Sequence, residues 1–333
     1  MWDFRLGEVF GLLRRTSAFL LFRFLVYMGI TLAYVIATGG GAGIGYLAGS
    51  IGDEPGGGAV WGGFIGLGLI SAVVYWAREY LLYLVKAGHI AVLVELMDGK
   101  EIPSGKAQIE HAKEQVKGRF AESSVLFGID QLLKGILRAF NRTVLTLSSL
   151  IPIPGIEGLV KFLNSVLTMS LTYVDEVILG YNMRTRAENP WESSRRALVL
   201  YAQNYKALLK NAVFLTLVVW GLTLAVFLIV LAPVGALVAV FPGAAGFWTL
   251  AVALVLAWGL KQALIEPIAM TALMQVYFET IEGQEPNAEW EARLERASDK
   301  FVELKDKAAA YIQPAPGGRP ATADSGTSPA PSD

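Results

Sequence analysis

Two pairs of ionisable residues stand in stretches that are otherwise apolar: Asp175 with Glu176, inside Leu167 to Leu179, and Lys261 with Glu266, inside a run from Gly246 to Ile281. Charge at membrane depth is expensive, so groups kept there are candidates for a polar pathway that binds or relays a small charged solute or a proton. Basic partners for the acids are close in sequence. Lys134, Arg138 and Arg142 follow Asp130 in steps of four, which lines them along one helical face, and Lys161 lies between that face and the acids. The competing structural reading puts Asp175 and Glu176 at the end of their helix, where they only neutralise the basic face beside them.

Other chemistry is not encoded. The two histidines are His89 and His111. A helix would bring His111 to Glu114, but one His and one Glu do not make a metal site, and His111 is expected on the surface. His89, in an apolar stretch near Glu95, is expected to pack with one hydrogen bond. There is no HExxH, no G-x-S-x-G and no Gly-Lys-Ser/Thr phosphate loop, so no enzyme, cofactor or metal is expected. Without cysteine there is no thiolate nucleophile and no disulfide framework.

The elements that must position these groups are read from hydropathy. Apolar residues make up 54% of the 333, charged ones 17%, and mean hydropathy is +0.47, more apolar than a soluble core of this length requires. The chain belongs in a lipid bilayer. A net charge of -1 removes any whole-protein electrostatic case for nucleic acid. Six spans are expected, at about 17 to 38, 59 to 77, 125 to 150, 157 to 181, 211 to 232 and 246 to 265, from the roughly 20 apolar residues needed to cross hydrocarbon. The first is too long for a secretory signal. The segment 125 to 150 could instead lie in the interface as a basic amphipathic helix.

The connections Gly39 to Gly58, Ile151 to Gly158 and Pro233 to Ala245 carry no Lys or Arg, whereas the others carry many, which places both termini in the cytoplasm. The apolar run from Ala59 to Met97 is too long for one crossing. It is expected either to project beyond the membrane or to break near Arg78, and Pro267 is expected to kink the last span.

A turn recurs at roughly 90-residue spacing, at Asp98 to Pro103, Glu188 to Glu192 and Glu282 to Asn287. Each precedes an amphipathic helix, and the period suggests one hairpin used three times. Asn189 and Asn287 are expected N-caps, with Glu192 completing a capping box. Trp290, Leu294, Phe301, Leu304 and Tyr311 follow a heptad pattern that suits docking on the chain's own bundle or on a partner. Gly41, Gly45 and Gly49 form a row at steps of four, and Gly62 and Gly66 another. Such rows allow close helix packing within the chain or between copies. Gly56 to Gly58 reads as a flexible loop, and the chain beyond Gln313 as disordered.

Three tandem hairpins invite comparison with the mitochondrial carriers. Pro190-Trp191-Glu192-Ser193-Ser194-Arg195 matches their Pro-x-acidic-x-x-basic signature once, but after an even-numbered span and without copies in the other repeats. No family is assigned on it.

The resulting expectation is an all-α polytopic membrane protein. Its hairpin repeats lie at 1–120, 121–210 and 211–312, with cytoplasmic amphipathic helices and a tail at 313–333. Two functions compete: a channel or permease for a small solute or ion without its own ATPase, and a non-catalytic assembly subunit binding itself or another membrane protein.

Overall fold

The computed structural model describes residues 2–119, 125, 128–138, 173–238 and 245–311. Among the described residues all regular structure is helical, and four helices are long and apolar enough to cross a membrane: Ser17–Ile51, Pro55–Tyr75, Tyr205–Ala236 and Leu250–Thr280. The expected middle hairpin falls largely on residues 139–172, outside the described set.

An amphipathic α1 (Leu6–Arg15) leads through Thr16 into α2 (Ser17–Ile51), which pairs along its length with α3 (Pro55–Met97). The connection expected over Gly39 to Gly58 is not a loop. Helix continues to Ile51, and Gly56, Gly57 and Gly58 already belong to α3, whose first position is Pro55. The glycine rows explain this. Gly41 and Gly45 meet the backbone of Gly58, Gly62 and Gly66 so closely that a methyl on Gly45 would lie 2.9 Å from the Gly62 Cα. Backbone contact of this kind replaces side-chain packing between helices in lipid, and it carries the hairpin well past the expected span ends. Its outer faces are apolar and exposed, with Ile44 at 72% and Trp61 at 72%.

α3 runs 43 residues, about 65 Å at 1.5 Å per residue. The expected break near Arg78 is absent, and the helix runs on without interruption. Its second half enters the main core, where Ile90 and Leu93 are fully buried. α4 (Lys106–Arg119) packs back on α3 through Ala112. A helical segment at 128–138, α5, and α6 (Val174–Thr185) complete that side.

α7 (Pro190–Gln203) begins as expected: the Asn189 side-chain oxygen accepts from the amides of Trp191 and Glu192, both at 3.1 Å. Glu192 does not return the bond but grips Arg195 at 2.6 Å. After a one-residue turn, α8 (Tyr205–Val238) forms the third long helix, and Pro233 lies inside it. The expected loop from Pro233 to Ala245 therefore starts later than its proline suggests. A helix in an apolar setting tolerates the lost N–H where a soluble one would break.

α9 (Ala245–Leu260) passes through a π-turn (Lys261–Ile265) into α10 (Glu266–Thr280). The expected kink at Pro267 is thus a single widened turn just before the proline. The heptad helix is also corrected. Ser298, extended at φ -155, ψ 115, divides it into α11 (Ala288–Ala297) and α12 (Asp299–Ala310). Redirection at Ser298 lets Leu294 from one piece and Phe301, Leu304 and Ala308 from the other all reach the same core, which a straight seam would leave.

Candidate functional site: a charged cavity at the helix junction

The inward stripe of α2 reads Phe19, Arg23, Tyr27, Thr31 at steps of four. An arginine thus occupies a core position of a span. Its side chain is almost fully enclosed, residue exposure being 2%, and it crosses to the last membrane helix, where Nη2 donates to the Gln262 carbonyl at 3.0 Å. Gly259 lets the helices meet here, because any side chain on it would strike Thr31.

That carbonyl is available for a backbone reason. In the π-turn the Glu266 amide bonds to the Lys261 carbonyl, one residue further back than in an α-helix. The same register would assign the Gln262 carbonyl to the amide of residue 267, and Pro267 has none. Arg23 fills the place left by the proline. It also lies against the Tyr27 ring, 5.8 Å from its centroid. Its Nε and Nη1 make no hydrogen bond among the described residues.

Around Arg23 opens a cavity of about 310 Å³, walled by α2, α3, α5, α6 and the start of α10. Three ion pairs stand in or beside it. Lys86 holds Glu176 at 2.5 Å, Lys134 holds Asp130 at 2.6 Å, and Lys261 is hydrogen-bonded to Glu266. Charges withdrawn from water persist only when compensated, so each acid here has acquired its own cation. Tyr27, Tyr75 and Tyr83 give the remaining wall an aromatic character.

The structure brings some of the candidate residues together and not others. Glu176 lines the cavity. Asp175 lines a much smaller adjoining space with Tyr83, Lys86, Asp130 and Glu176, and its Oδ1 has no hydrogen-bond partner among the described residues. Arg138 does not meet either acid: it is exposed and donates to the Lys134 carbonyl at 3.1 Å. Arg142 and Lys161 lie outside the described residues. The partner that Glu176 does find, Lys86, is 90 positions away and reads in the sequence as an interruption of an apolar run. Arg23 was overlooked for the same reason, and its four-residue register with Phe19, Tyr27 and Thr31 is the signal that could have found it.

The histidines serve packing and hydrogen bonding. His89 stacks on Phe19 with ring centroids 5.3 Å apart and shares a 3.0 Å hydrogen bond with the Thr16 hydroxyl. Burial, aided by the charge of Arg23, holds its imidazole well below the ordinary value of 6.5, hence neutral. His111 is half-buried and pairs at 2.6 Å with Glu95 rather than with Glu114. Lys100 and Arg186 also approach Glu95, at 3.7 and 3.4 Å.

The docking residues lie within the chain. Phe301 and Leu304 are fully buried, Leu294 nearly so, and Tyr311 packs at the edge of the same core. Trp290 sits against Tyr205, ring centroids 5.6 Å apart. Asn189 Nδ2 donates to the Ala308 carbonyl at 2.7 Å, and Arg195 pairs with Glu291.

Set against known proteins, the chain matches no family model, no curated protein and no solved structure.

Proposed function

We propose that this is a channel- or permease-like membrane protein that moves a small solute or ion without an ATPase of its own, and that the cavity around Arg23 is a station on the path. The observation that carries this reading is the concentration of compensated charge where α2, α3 and the α9–α10 helix meet, since charge at a junction of membrane helices is costly and unnecessary for a passive scaffold. For the whole chain we infer six spans in three hairpins, with both termini cytoplasmic, from the hydropathy and the Lys/Arg bias of the connections. The alternative of an assembly subunit would use the glycine rows and the C-terminal helices. Within the single chain the two glycine rows already meet each other and the C-terminal helices already pack on the core.

The test is reconstitution in proteoliposomes with a panel of small anions, cations and neutral solutes. Flux of at least one class, reduced tenfold or more by Asp175→Asn with Glu176→Gln, is the expected result. An absence of flux across the panel, together with a stoichiometric membrane partner lost on removing residues 287–333, would replace this reading with the assembly one.

A further inference from the structure

The charges on the cavity wall do not cancel in kind. Lys86, Lys134 and Lys261 each pair with an acid, Glu176, Asp130 and Glu266, at ion-pair distance, and Asp175 adjoins the first of these pairs. Arg23 alone has a neutral partner, the Gln262 carbonyl, and two of its three nitrogens are left without a hydrogen bond among the described residues. Capping one carbonyl needs a single donor, which a neutral side chain could supply without burying charge. A guanidinium is suited to a different task, because its planar N–H groups match the paired oxygens of a carboxylate or phosphate and it stays charged when desolvated. Lys86 and Lys134 on the facing wall remain part-exposed, at 30% and 43% of their side chains, so an incoming anion would meet a second positive edge. The space, about 310 Å³, is at the small end of ligand pockets.

We infer that Arg23 is the recognition residue for an oxyanion, a carboxylate or phosphate group carried by a small molecule or by a lipid headgroup, bound in the cavity against Lys86 and Lys134. The inference rests on the transport reading for the role of the cavity, but not for the existence of the site. Gln262 and the π-turn fix the guanidinium in place beforehand, so that binding spends little on ordering the side chain.

The experiment uses the full chain in phosphatidylcholine nanodiscs, with unfolding followed by tryptophan fluorescence during titration with sodium phosphate or sodium succinate, against sodium chloride at equal ionic strength. A saturable rise in Tm with phosphate or succinate but not chloride is expected. Arg23→Gln should weaken the apparent affinity at least tenfold, and Arg23→Lys should fall between. In the lipid arm phosphatidic acid is added to the nanodisc. A rise there that depends on Arg23, with no response to the soluble anions, identifies the headgroup as the source. No response to phosphate, succinate or phosphatidic acid beyond that to chloride overturns the inference, as does a response unchanged in both Arg23 variants. If neither variant is monodisperse, the wild-type comparison of oxyanion with chloride decides. Flux without any oxyanion response would sink this inference and leave transport standing, whereas an Arg23-dependent response without flux would do the reverse.

Discussion

Arg23 is held by a defect in another helix. Pro267 withholds an amide, the π-turn shifts the hydrogen-bond register by one residue, and the guanidinium takes the Gln262 carbonyl. The neighbouring Lys86–Glu176 pair is held differently, by mutual compensation. Replacing Glu176 by Gln leaves Lys86 without its counter-charge, and we expect a loss of about 2 kcal/mol, below the figure for a fully buried pair because Lys86 is part-exposed. The double variant Lys86→Met with Glu176→Leu should recover most of it, since two apolar groups carry no desolvation penalty. Thermal unfolding of the wild type and the two variants in one detergent checks this, and a double variant as unstable as the single one would show that packing rather than charge is at stake. The acid was legible from the sequence because a carboxylate in an apolar run stands out. Its partner was not, because Lys86 is brought to Glu176 by the crossing of α3 and α6, which no local spacing encodes.

Elements were legible where the rule is local and failed where two helices decide together. The asparagine caps at Asn189 and Asn287 follow from one side chain and two amides, and both are found in place. The sequence points two ways between 39 and 58, to a connection ending in a Gly56 to Gly58 loop and to a packing row at Gly41, Gly45 and Gly49, and the helices follow the row, because the lack of a side chain is used by the facing row of glycines rather than by a turn. Gly45→Val should therefore lower Tm by several degrees and splay the tip of the hairpin. Gly43→Ala, with nothing near its added methyl, should be neutral or slightly stabilising. Equal effects of the two would remove the packing argument. The break at Ser298 escaped notice because the heptad continues unbroken across it, and only the direction of the target core reveals the bend. Charge fixes these last helices to α7. Burial pushes the Glu291 carboxyl up, but hydrogen bonds and charge from Arg195 and Lys305 outweigh it and hold the group below its ordinary 4.5. Since the folded value is the lower one, the stabilisation is complete above 4.5 and is lost as pH falls through the folded value. Hydrogen exchange of 288–310, corrected for intrinsic rates, should show protection unchanged by this group above its ordinary 4.5 and falling as the pH drops below it, and Glu291→Gln should show the weakened state already at pH 7.

At the scale of the molecule two regions of different solvent are joined: an apolar hairpin with exposed leucine, isoleucine and tryptophan, and a helical core closed by α11 and α12. Phe301 is the largest side chain that the last helix contributes to that core, and it is fully buried. Phe301→Ala should cost about 4 kcal/mol, read as a fall in Tm and as aggregation on size exclusion. An unchanged profile would mean that the C-terminal helices are dispensable appendages. What ties the two regions is α3, one continuous helix from the hairpin turn to Met97. Its backbone carries no proline and no widened turn beyond Pro55 to absorb bending, and its two ends are gripped, one by glycine contacts and one by the core. It therefore behaves as a stiff rod joining the hairpin to the core. A thinner bilayer tilts such a rod rather than compressing it, and the far arm then swings within the core. A chain-length series of phosphatidylcholine should therefore shift the protein's Tm through an optimum instead of leaving it flat.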